Sequence, residues 1–307
     1  HLAFKNKIAF AGGAWKWSGI VPSIDHSMNV TKLALEACRE NGIDMVFTTA
    51  WGDNGAEASI MTILPVLALF AEISYSDADV DQKVSDKLKA LTGYDTADFM
   101  TLCSLNRTTQ TEPIVPHNNP AKYLFFQDPL MGLFDYHVLP SFPAHYAGCA
   151  KTLDVLASRG EKLSYVFDTL AKLSSVLELK CDLGVRLKAA YDADDKQALL
   201  QLADKVIPEL LARFDTYYEA FRKQWYKESR PGGFDVQDLR FGGLKQRILN
   251  AQRTVRAYVN GEIEAVSELK LPRLPFDCRA SDEGRDINVD CNLWDYISTP
   301  NVNSKVR

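Results

Sequence analysis

The chain carries little excess charge of either sign and no cluster of basic residues. Its 307 residues include 35 Lys and Arg against 40 Asp and Glu, which gives a formal net charge of −5 at pH 7. Proteins that bind nucleic acids neutralise phosphates with clustered Lys and Arg. We therefore expect no nucleic-acid partner.

The sequence also lacks a long hydrophobic run. A helix that spans a bilayer needs roughly 20 consecutive apolar residues, and the longest candidate, residues 60–73, is shorter and contains Pro65 and Glu72. That segment is more typical of a buried helix. The composition, 46% hydrophobic and 24% charged, is that of a soluble protein with about two domains. We expect no membrane partner.

Familiar cofactor and metal motifs are missing as well. The sequence contains no glycine-rich phosphate loop, no G-x-S-x-G motif and no Cys-x-x-Cys pair, and its six cysteines have no His at metal-ligand spacing. We therefore predict no cofactor and no metal site. Cys38 falls on the apolar face of a predicted helix. Reduced, structural cysteines are typical of a reducing compartment, which predicts a cytoplasmic location.

Two strand–helix units open the chain. Residues 7–13 (KIAFAGG) and 43–49 (IDMVFTT) are short apolar runs typical of buried parallel strands. Apolar residues at helical spacing predict a helix over about residues 30–41 and another over about 59–74. The order strand, helix, strand, helix predicts two parallel strands joined by a right-handed crossover.

Two parallel strands cannot close a barrel or cover both of their own faces. Either these units form a small, unusual α/β piece, or they end a larger sheet whose earlier strands precede His1. We favour the second interpretation.

From about residue 152 the pattern becomes strongly helical. Three apolar stripes predict long amphipathic helices, which together imply an antiparallel bundle. A bend is predicted at Pro208, and the residues after Pro275 show no periodicity. The stripes are Leu163, Val166, Leu170, Leu173 and Leu177; Leu199, Leu202, Val206, Leu210, Phe214, Tyr217 and Phe221; and Leu244, Ile248, Ala251, Val255 and Tyr258, extended to Ile263 and Val266.

Both strand ends are rich in tryptophan. The first strand runs into Trp15 and Trp17, and the second runs into Trp51 and Asp53. Functional groups of parallel α/β barrels lie at the carboxyl ends of the strands. A Trp ring offers a flat apolar surface to the C–H face of a sugar, and a carboxylate beside it accepts hydrogen bonds from hydroxyls. We predict that these four residues bind a sugar, against the alternative that each Trp only packs in the core.

Other candidates have simpler explanations. Glu57 would be favoured in the first turn of a helix by the helix dipole alone, and Lys16 is interpreted as an exposed loop residue. Residues 192–195 (DADD) resemble the start of a calcium loop but lack its glycine and closing Glu, so they are interpreted as a helix N-cap cluster. His137 and His145 are interpreted as structural.

Longer motifs carry a family resemblance. Residues 50–59 (AWGDNGAEAS), 119–124 (NPAKYL), 127–135 (QDPLMGLFD) and 233–244 (GFDVQDLRFGGL) resemble glycoside hydrolase family 20. The most similar branch is the streptococcal-type β-N-acetylglucosaminidases with a helical C-terminal domain. The resemblance covers most of the chain up to about Leu271.

The resemblance implies an N-terminal domain, a (β/α)8 barrel and then a helical domain. This chain would be α/β plus all-α: the last two β/α units of the TIM barrel (strands 7 and 8) in residues 1–76, followed by a helical-bundle domain in residues 77–276. Residues 277–307 would form an irregular tail. The missing N-terminal half of the barrel would be a partner, and the exposed barrel edge predicts association, including a homodimer.

The family's reaction is substrate-assisted: the N-acetyl carbonyl oxygen of the sugar attacks C1, a Glu acts as general acid and base, and a neighbouring Asp orients the acetamido group. That Asp-Glu pair belongs to the fourth barrel strand. No such pair follows a strand here, so we expect no catalytic residue in this chain, which alone would be inactive.

By resemblance, the chain keeps the sugar-binding half of the site. Trp51 would wall the pocket for the N-acetyl group or the ring face, and Asp53 would bind the outer hydroxyls of the terminal sugar. Trp15 and Trp17 match the preceding strand end less closely. The implied substrates are glycans that end in N-acetylglucosamine or N-acetylgalactosamine. Segment 233–244 is expected to be a structural joint or an interface.

Two other hypotheses stay open. The chain could be a stand-alone carbohydrate-binding or interaction module built on the helical bundle. It could also belong to a different barrel enzyme whose Trp-Gly-Asp loop arose independently.

Overall fold

The computed structural model describes residues 6–16, 19–52, 55–76, 79–108, 119–276 and 299. Two strands and a series of helices follow one another along these residues. In chain order they are β1 (Ala9–Gly13), α1 (Ile24–Glu40), β2 (Met45–Thr49), α2 (Leu64–Tyr75), α3 (Val80–Thr92), α4 (Thr96–Met100), α5 (Pro120–Phe126), α6 (Phe142–Ala157), α7 (Ser164–Lys180), α8 (Leu183–Asp192), α9 (Lys196–Gln201), α10 (Ile207–Glu228), α11 (Phe234–Val259) and α12 (Ser267–Lys270). The predicted tail falls outside the described residues, apart from Thr299.

The two opening strands pair in parallel, which confirms the predicted strand–helix order. Ala9 lies opposite Met45, and the register continues to Gly13 opposite Thr49. Within the described residues the sheet contains only these two strands, so each strand has one unpaired edge. The second predicted helix begins as a 3-10 turn (Ile60–Ile63) and continues as α2.

The prediction for the first helix was wrong at its start. Helix α1 begins at Ile24, six residues before the expected position. Its first turns bury Ile24, Ser27 and Thr31, so two of the three inward positions there are polar. The backbone N–H of Trp15 donates to the Ser27 hydroxyl, which explains why a hydrophobic pattern failed to reveal this part of the helix.

The predicted bundle helices form, with different ends. The first predicted stripe lies on α7, which packs against α6 and α10. The second stripe includes α9, a π-helical turn (Leu202–Val206) and α10, so the irregularity lies just before Pro208, which occupies the first turn of α10. The third stripe ends with α11 at Val259 and does not extend to Val266.

One hydrophobic core joins the strand–helix units to the bundle. It is continuous from Ile20 and Leu35 through Phe125 and Phe167 to Leu269. Because α1 and α2 share this core with the bundle, the strand ends are held against the helices.

Several small predictions are confirmed. Cys38 is buried on α1, and all four cysteines in the described parts of the chain are buried and free. Asp195 caps α9 by accepting a hydrogen bond from the Ala198 N–H. His137 is buried and accepts a hydrogen bond from the Phe276 N–H, which fits its structural interpretation. Among the described helices, none combines the length and apolarity that a membrane span needs.

The motif at 127–135 forms a turn that is bonded to itself. The Gln127 side chain accepts a hydrogen bond from the Phe134 N–H at 3.0 Å, and the Asp128 carboxylate accepts from the Leu130 and Met131 N–H groups. The buried Lys180 ammonium donates to the Gln127 carbonyl at 2.7 Å and to the Leu124 carbonyl at 2.9 Å. The motif is therefore part of the core of the bundle.

The burial of Lys180 should make the free energy of unfolding depend on pH. Burial lowers its pKa from 10.5 to about 7, against the opposing pull of Asp128 and Asp135. Between pH 7 and 10.5 the unfolded chain holds a proton that the native chain has released. The free energy of unfolding should therefore rise with pH in this window, by up to about 1.4 kcal/mol per pH unit, and Lys180→Met should remove that rise.

Urea unfolding at pH 7, 8 and 9 measures this effect. The control is Lys172→Met on the same helix, because Lys172 is partly exposed and paired with Asp168. If the unmodified chain and Lys180→Met change in parallel from pH 7 to 9, Lys180 keeps its proton and the interpretation is wrong.

Candidate functional site

The two strands end level with each other at the carboxyl edge of the sheet. Gly13 lies opposite Thr49, and the Ala14 N–H donates to the Thr49 carbonyl at 2.8 Å. Trp15 and Trp51 each follow two residues after that last pair, so both lie at this edge, as predicted. The predicted residues Trp17 and Asp53 lie outside the described residues.

Trp51 holds its ring open to solvent. The residue is 56% exposed, yet its indole Nε1–H donates to the Thr49 hydroxyl at 2.8 Å, and that hydroxyl donates to the Gly12 carbonyl at 2.9 Å. The polar end of the ring is thus tied to both strands. An exposed, anchored aromatic ring is suited to pack against an apolar ligand face.

Trp15 has a different environment. It is half-buried, and its ring meets the His26 ring of α1 edge-on, with centroids 5.4 Å apart and an interplanar angle of 83°. The Trp15 backbone N–H donates to the Ser27 hydroxyl at 2.8 Å, and the Trp15 backbone carbonyl accepts from the Ser23 N–H. Trp15 therefore connects the end of β1 to the first turns of α1.

The interpretation of Lys16 as an exposed loop residue was wrong. Lys16 is buried, and its ammonium lies 3.4 Å from the Ala58 carbonyl oxygen. Burial lowers the pKa of Lys16, and the nearby Glu228 carboxylate opposes that shift. Lys16 links the end of β1 to the loop that follows β2.

Glu57 is the centre of a buried group of charges. Its side chain is 1% exposed, and it pairs with Lys122 of α5, which is fully buried, and with Arg240 of α11, 2.9 Å from Glu57 Oε1. Glu57 precedes the 3-10 turn and lies in a loop, so the helix-dipole explanation does not apply. Both carboxylate oxygens of Glu57 are bound to these two cations, which gives Glu57 a structural role.

Helix α11 also binds the backbone of the same loop. The Gln237 amide donates to the Gly55 carbonyl at 3.1 Å. One helix earlier, Glu228 at the end of α10 accepts from the Ser59 hydroxyl at 2.5 Å and from the Ile60 N–H at 2.9 Å. These contacts of Gln237 and Arg240 fit the expectation that segment 233–244 is a structural joint or an interface.

Sequence reasoning missed how these residues meet. Lys122 and Arg240 belong to the motifs at 119–124 and 233–244, but nothing in either motif indicates that both cations reach the same carboxylate. Glu228 lies in no motif and had no detectable signal. Among the residues that the structure describes, no group of three or more His, Cys, Asp or Glu side chains could hold a metal ion.

Comparison with known proteins identifies the helical part. A family model described as the glycoside hydrolase 20C C-terminal domain matches residues 97–288, more than half of the chain. No curated protein matches the chain. The match runs from the second residue of α4 through α12. It includes Lys122, Glu228, Gln237 and Arg240, which contact residues 55–60 after β2. The chain therefore belongs to the family of glycoside hydrolase 20C C-terminal domains, which implies that it is part of a hexosaminidase.

Proposed function

We propose that this chain is the C-terminal part of an exo-acting β-N-acetylhexosaminidase. The complete enzyme would remove terminal β-linked N-acetylglucosamine or N-acetylgalactosamine from glycans, with retention of configuration. Residues 1–76 would supply barrel strands 7 and 8, residues 77–276 the helical domain and residues 277–307 a tail.

The observation that carries the proposal is the anchored, exposed ring of Trp51. The exposed part of the indole gains no burial energy in this chain alone, whereas a sugar could cover the ring and bury its apolar face. The hydrogen bond from Trp51 to Thr49 fixes the ring without occupying its faces. Asp53, two residues further on, would accept hydrogen bonds from the sugar hydroxyls.

The uncovered face of the sheet supports the barrel. Ala9, Ala11, Met45 and Phe47 lie on one face and are exposed, Met45 by 53% and Phe47 by 49%. In a complete barrel this face would point inward and be covered by side chains from the other strands. A stand-alone binding module would leave these side chains in water. A second copy of the chain is the other partner that could cover them.

The chemistry would be divided between the two parts of the protein. The acetamido oxygen of the bound sugar would attack C1 as the glycosidic C1–O bond breaks, while a Glu protonates the leaving oxygen and a neighbouring Asp orients the acetamido group; both would come from the part of the barrel outside this chain. Water, deprotonated by the same Glu, would then open the oxazolinium intermediate at C1 and restore the acetamido group. This chain would hold the terminal sugar in place. The Glu57 carboxylate near the described strand ends is bound to Lys122 and Arg240 and would not take part.

Steady-state kinetics of the complete enzyme test the proposal. The unmodified enzyme should hydrolyse an aryl β-N-acetylglucosaminide and leave the matching β-glucoside, which lacks the acetamido group, essentially intact. Trp51→Ala should raise KM by about twofold to tenfold, because an aromatic contact contributes about 0.5–1.5 kcal/mol. Trp51→Phe, which keeps a flat ring, should lose less.

Equal hydrolysis of both substrates would overturn the substrate-assisted mechanism. An unchanged KM in Trp51→Ala would remove Trp51 from the sugar site.

A further inference from the structure

We propose that Gln237 and Arg240 of α11 are positioning residues for the sugar site. They would hold the loop between β2 and the 3-10 turn (residues 50–59, the strand-end loop) in the conformation that binds sugar. The inference rests on the proposed function, and it gives the helical domain a direct influence on substrate affinity.

The first contact is that of Gln237 and Arg240 with Gly55. This residue has a φ of +111°, and its carbonyl accepts the hydrogen bond from the buried Gln237 amide. A Cβ atom at position 55 would lie 2.4 Å from Arg240 Nη1 and 3.0 Å from Gln237 Nε2. Both the backbone conformation and the lack of space therefore require glycine here.

The second contact is the ion pair between Arg240 and Glu57. The Arg240 side chain is 9% exposed and that of Glu57 is 1% exposed. In a site shielded from water this charged hydrogen bond is stronger and better oriented than a surface pair. Arg240 therefore contacts the loop both at Gly55 and two residues later.

The third contact extends the grip to the end of the loop. Glu228 binds Ser59 and the Ile60 N–H, and Lys16 reaches the Ala58 carbonyl from the end of β1. The helical domain thus binds the loop at positions 55, 57 and 59, and it binds the following 3-10 turn at Ile60. On the other side, Trp51 is anchored to Thr49 of β2.

Asp53 lies between these two anchored segments of the chain. In the sequence it comes two residues after Trp51 and two residues before Gly55. A binding loop that is held in place before the ligand arrives loses less conformational entropy on binding. Loosening the helical side should therefore weaken sugar binding, although neither Gln237 nor Arg240 needs to contact the sugar.

The test compares two glutamines on the same helix. Gln237→Leu removes the donor to Gly55 while keeping the volume of the side chain. The matched control is Gln252→Leu, because buried Gln252 also donates to a backbone carbonyl, that of Ala203, at 2.6 Å within the bundle. Hydrogen exchange of residues 55–60 is measured in the chain, and KM and kcat are measured in the complete enzyme.

We expect Gln237→Leu to speed exchange at residues 55–60 and to raise KM by about fivefold to tenfold each, as the loss of one net hydrogen bond implies. The value of kcat should stay within about twofold, and Gln252→Leu should change neither quantity. Gly55→Ala, which disturbs the same contact from the loop side, should reproduce the effects of Gln237→Leu and serves if that variant does not fold.

The outcomes separate the inference from the proposed function. Unchanged exchange at residues 55–60 in Gln237→Leu, or equal acceleration in Gln252→Leu, would overturn the positioning role. Faster exchange with an unchanged KM would also overturn it, because the loop would then be irrelevant to the sugar. An unmodified enzyme that hydrolyses no N-acetylhexosaminide would overturn the proposed function, while the exchange result would still decide whether α11 positions the loop.

Discussion

Asp53→Ala in the complete enzyme is expected to lower kcat/KM for an aryl β-N-acetylglucosaminide by about 10²-fold or more. A carboxylate that accepts hydrogen bonds from two sugar hydroxyls contributes about 1.5–3 kcal/mol per bond. The contribution grows in the transition state if the sugar ring must be held in a distorted shape. Loss of these bonds should therefore reduce kcat as well as raise KM.

The control for this variant lies at the other end of the same strand. Asp44 directly precedes β2 and is exposed, so Asp44→Ala should leave the kinetics unchanged. Asp53→Asn separates charge from shape: it should recover part of the loss, because an amide oxygen also accepts hydrogen bonds. Unchanged kinetics in Asp53→Ala would remove this residue from the site and favour a barrel enzyme of another kind.

Local patterns in the sequence were enough to predict the strand–helix units. Each strand is a short apolar run, and the α2 segment has its apolar residues at helical spacing, so both could be recognised from neighbours along the chain. The same logic failed at the start of α1, where Ser27 is buried for its hydrogen bonds with the Trp15 N–H and the Ser23 carbonyl. A hydrophobic period cannot detect a helix turn that is held by polar contacts.

The ion pairs of Glu57 with Lys122 and Arg240 could not be predicted either, and the reason is different. Glu57 meets Lys122 and Arg240 across 65 and 183 residues of sequence. Each residue alone is typical of a solvated surface, since charged side chains are almost never fully buried without a partner. Only the fold brings the three together. The motifs at 119–124 and 233–244 indicated that something specific occurs there, without indicating which atoms take part.

Glu57→Gln is expected to destabilise the chain by about 3–5 kcal/mol. The variant keeps the shape of the side chain but removes the buried carboxylate charge that pairs with both Lys122 and Arg240. Removing one partner of a buried ion pair is costly because water cannot replace it. Urea unfolding monitored by circular dichroism measures the loss.

A partly exposed ion pair provides the matched control. Glu178 on α7 pairs with Arg213 and is 34% exposed, so Glu178→Gln should cost no more than about 1 kcal/mol. A similar loss of unfolding free energy in the two variants would mean that water reaches Glu57 and that its ion pairs are not buried.

A second substitution distinguishes the loss of charge balance from the loss of a specific bond. Buried ion pairs can often be replaced by apolar side chains at little cost, because desolvation offsets much of their attraction. Lys122→Met added to Glu57→Gln should therefore restore part of the stability by removing one of the two buried cations that Glu57 binds. It should not restore protection of residues 55–60 from hydrogen exchange, because the ion pair between Arg240 and Glu57 would still be lost. The double variant would then recover unfolding free energy without recovering the protection of residues 55–60. We expect this result if the contacts of Glu57 order the loop for sugar binding as well as stabilise the fold.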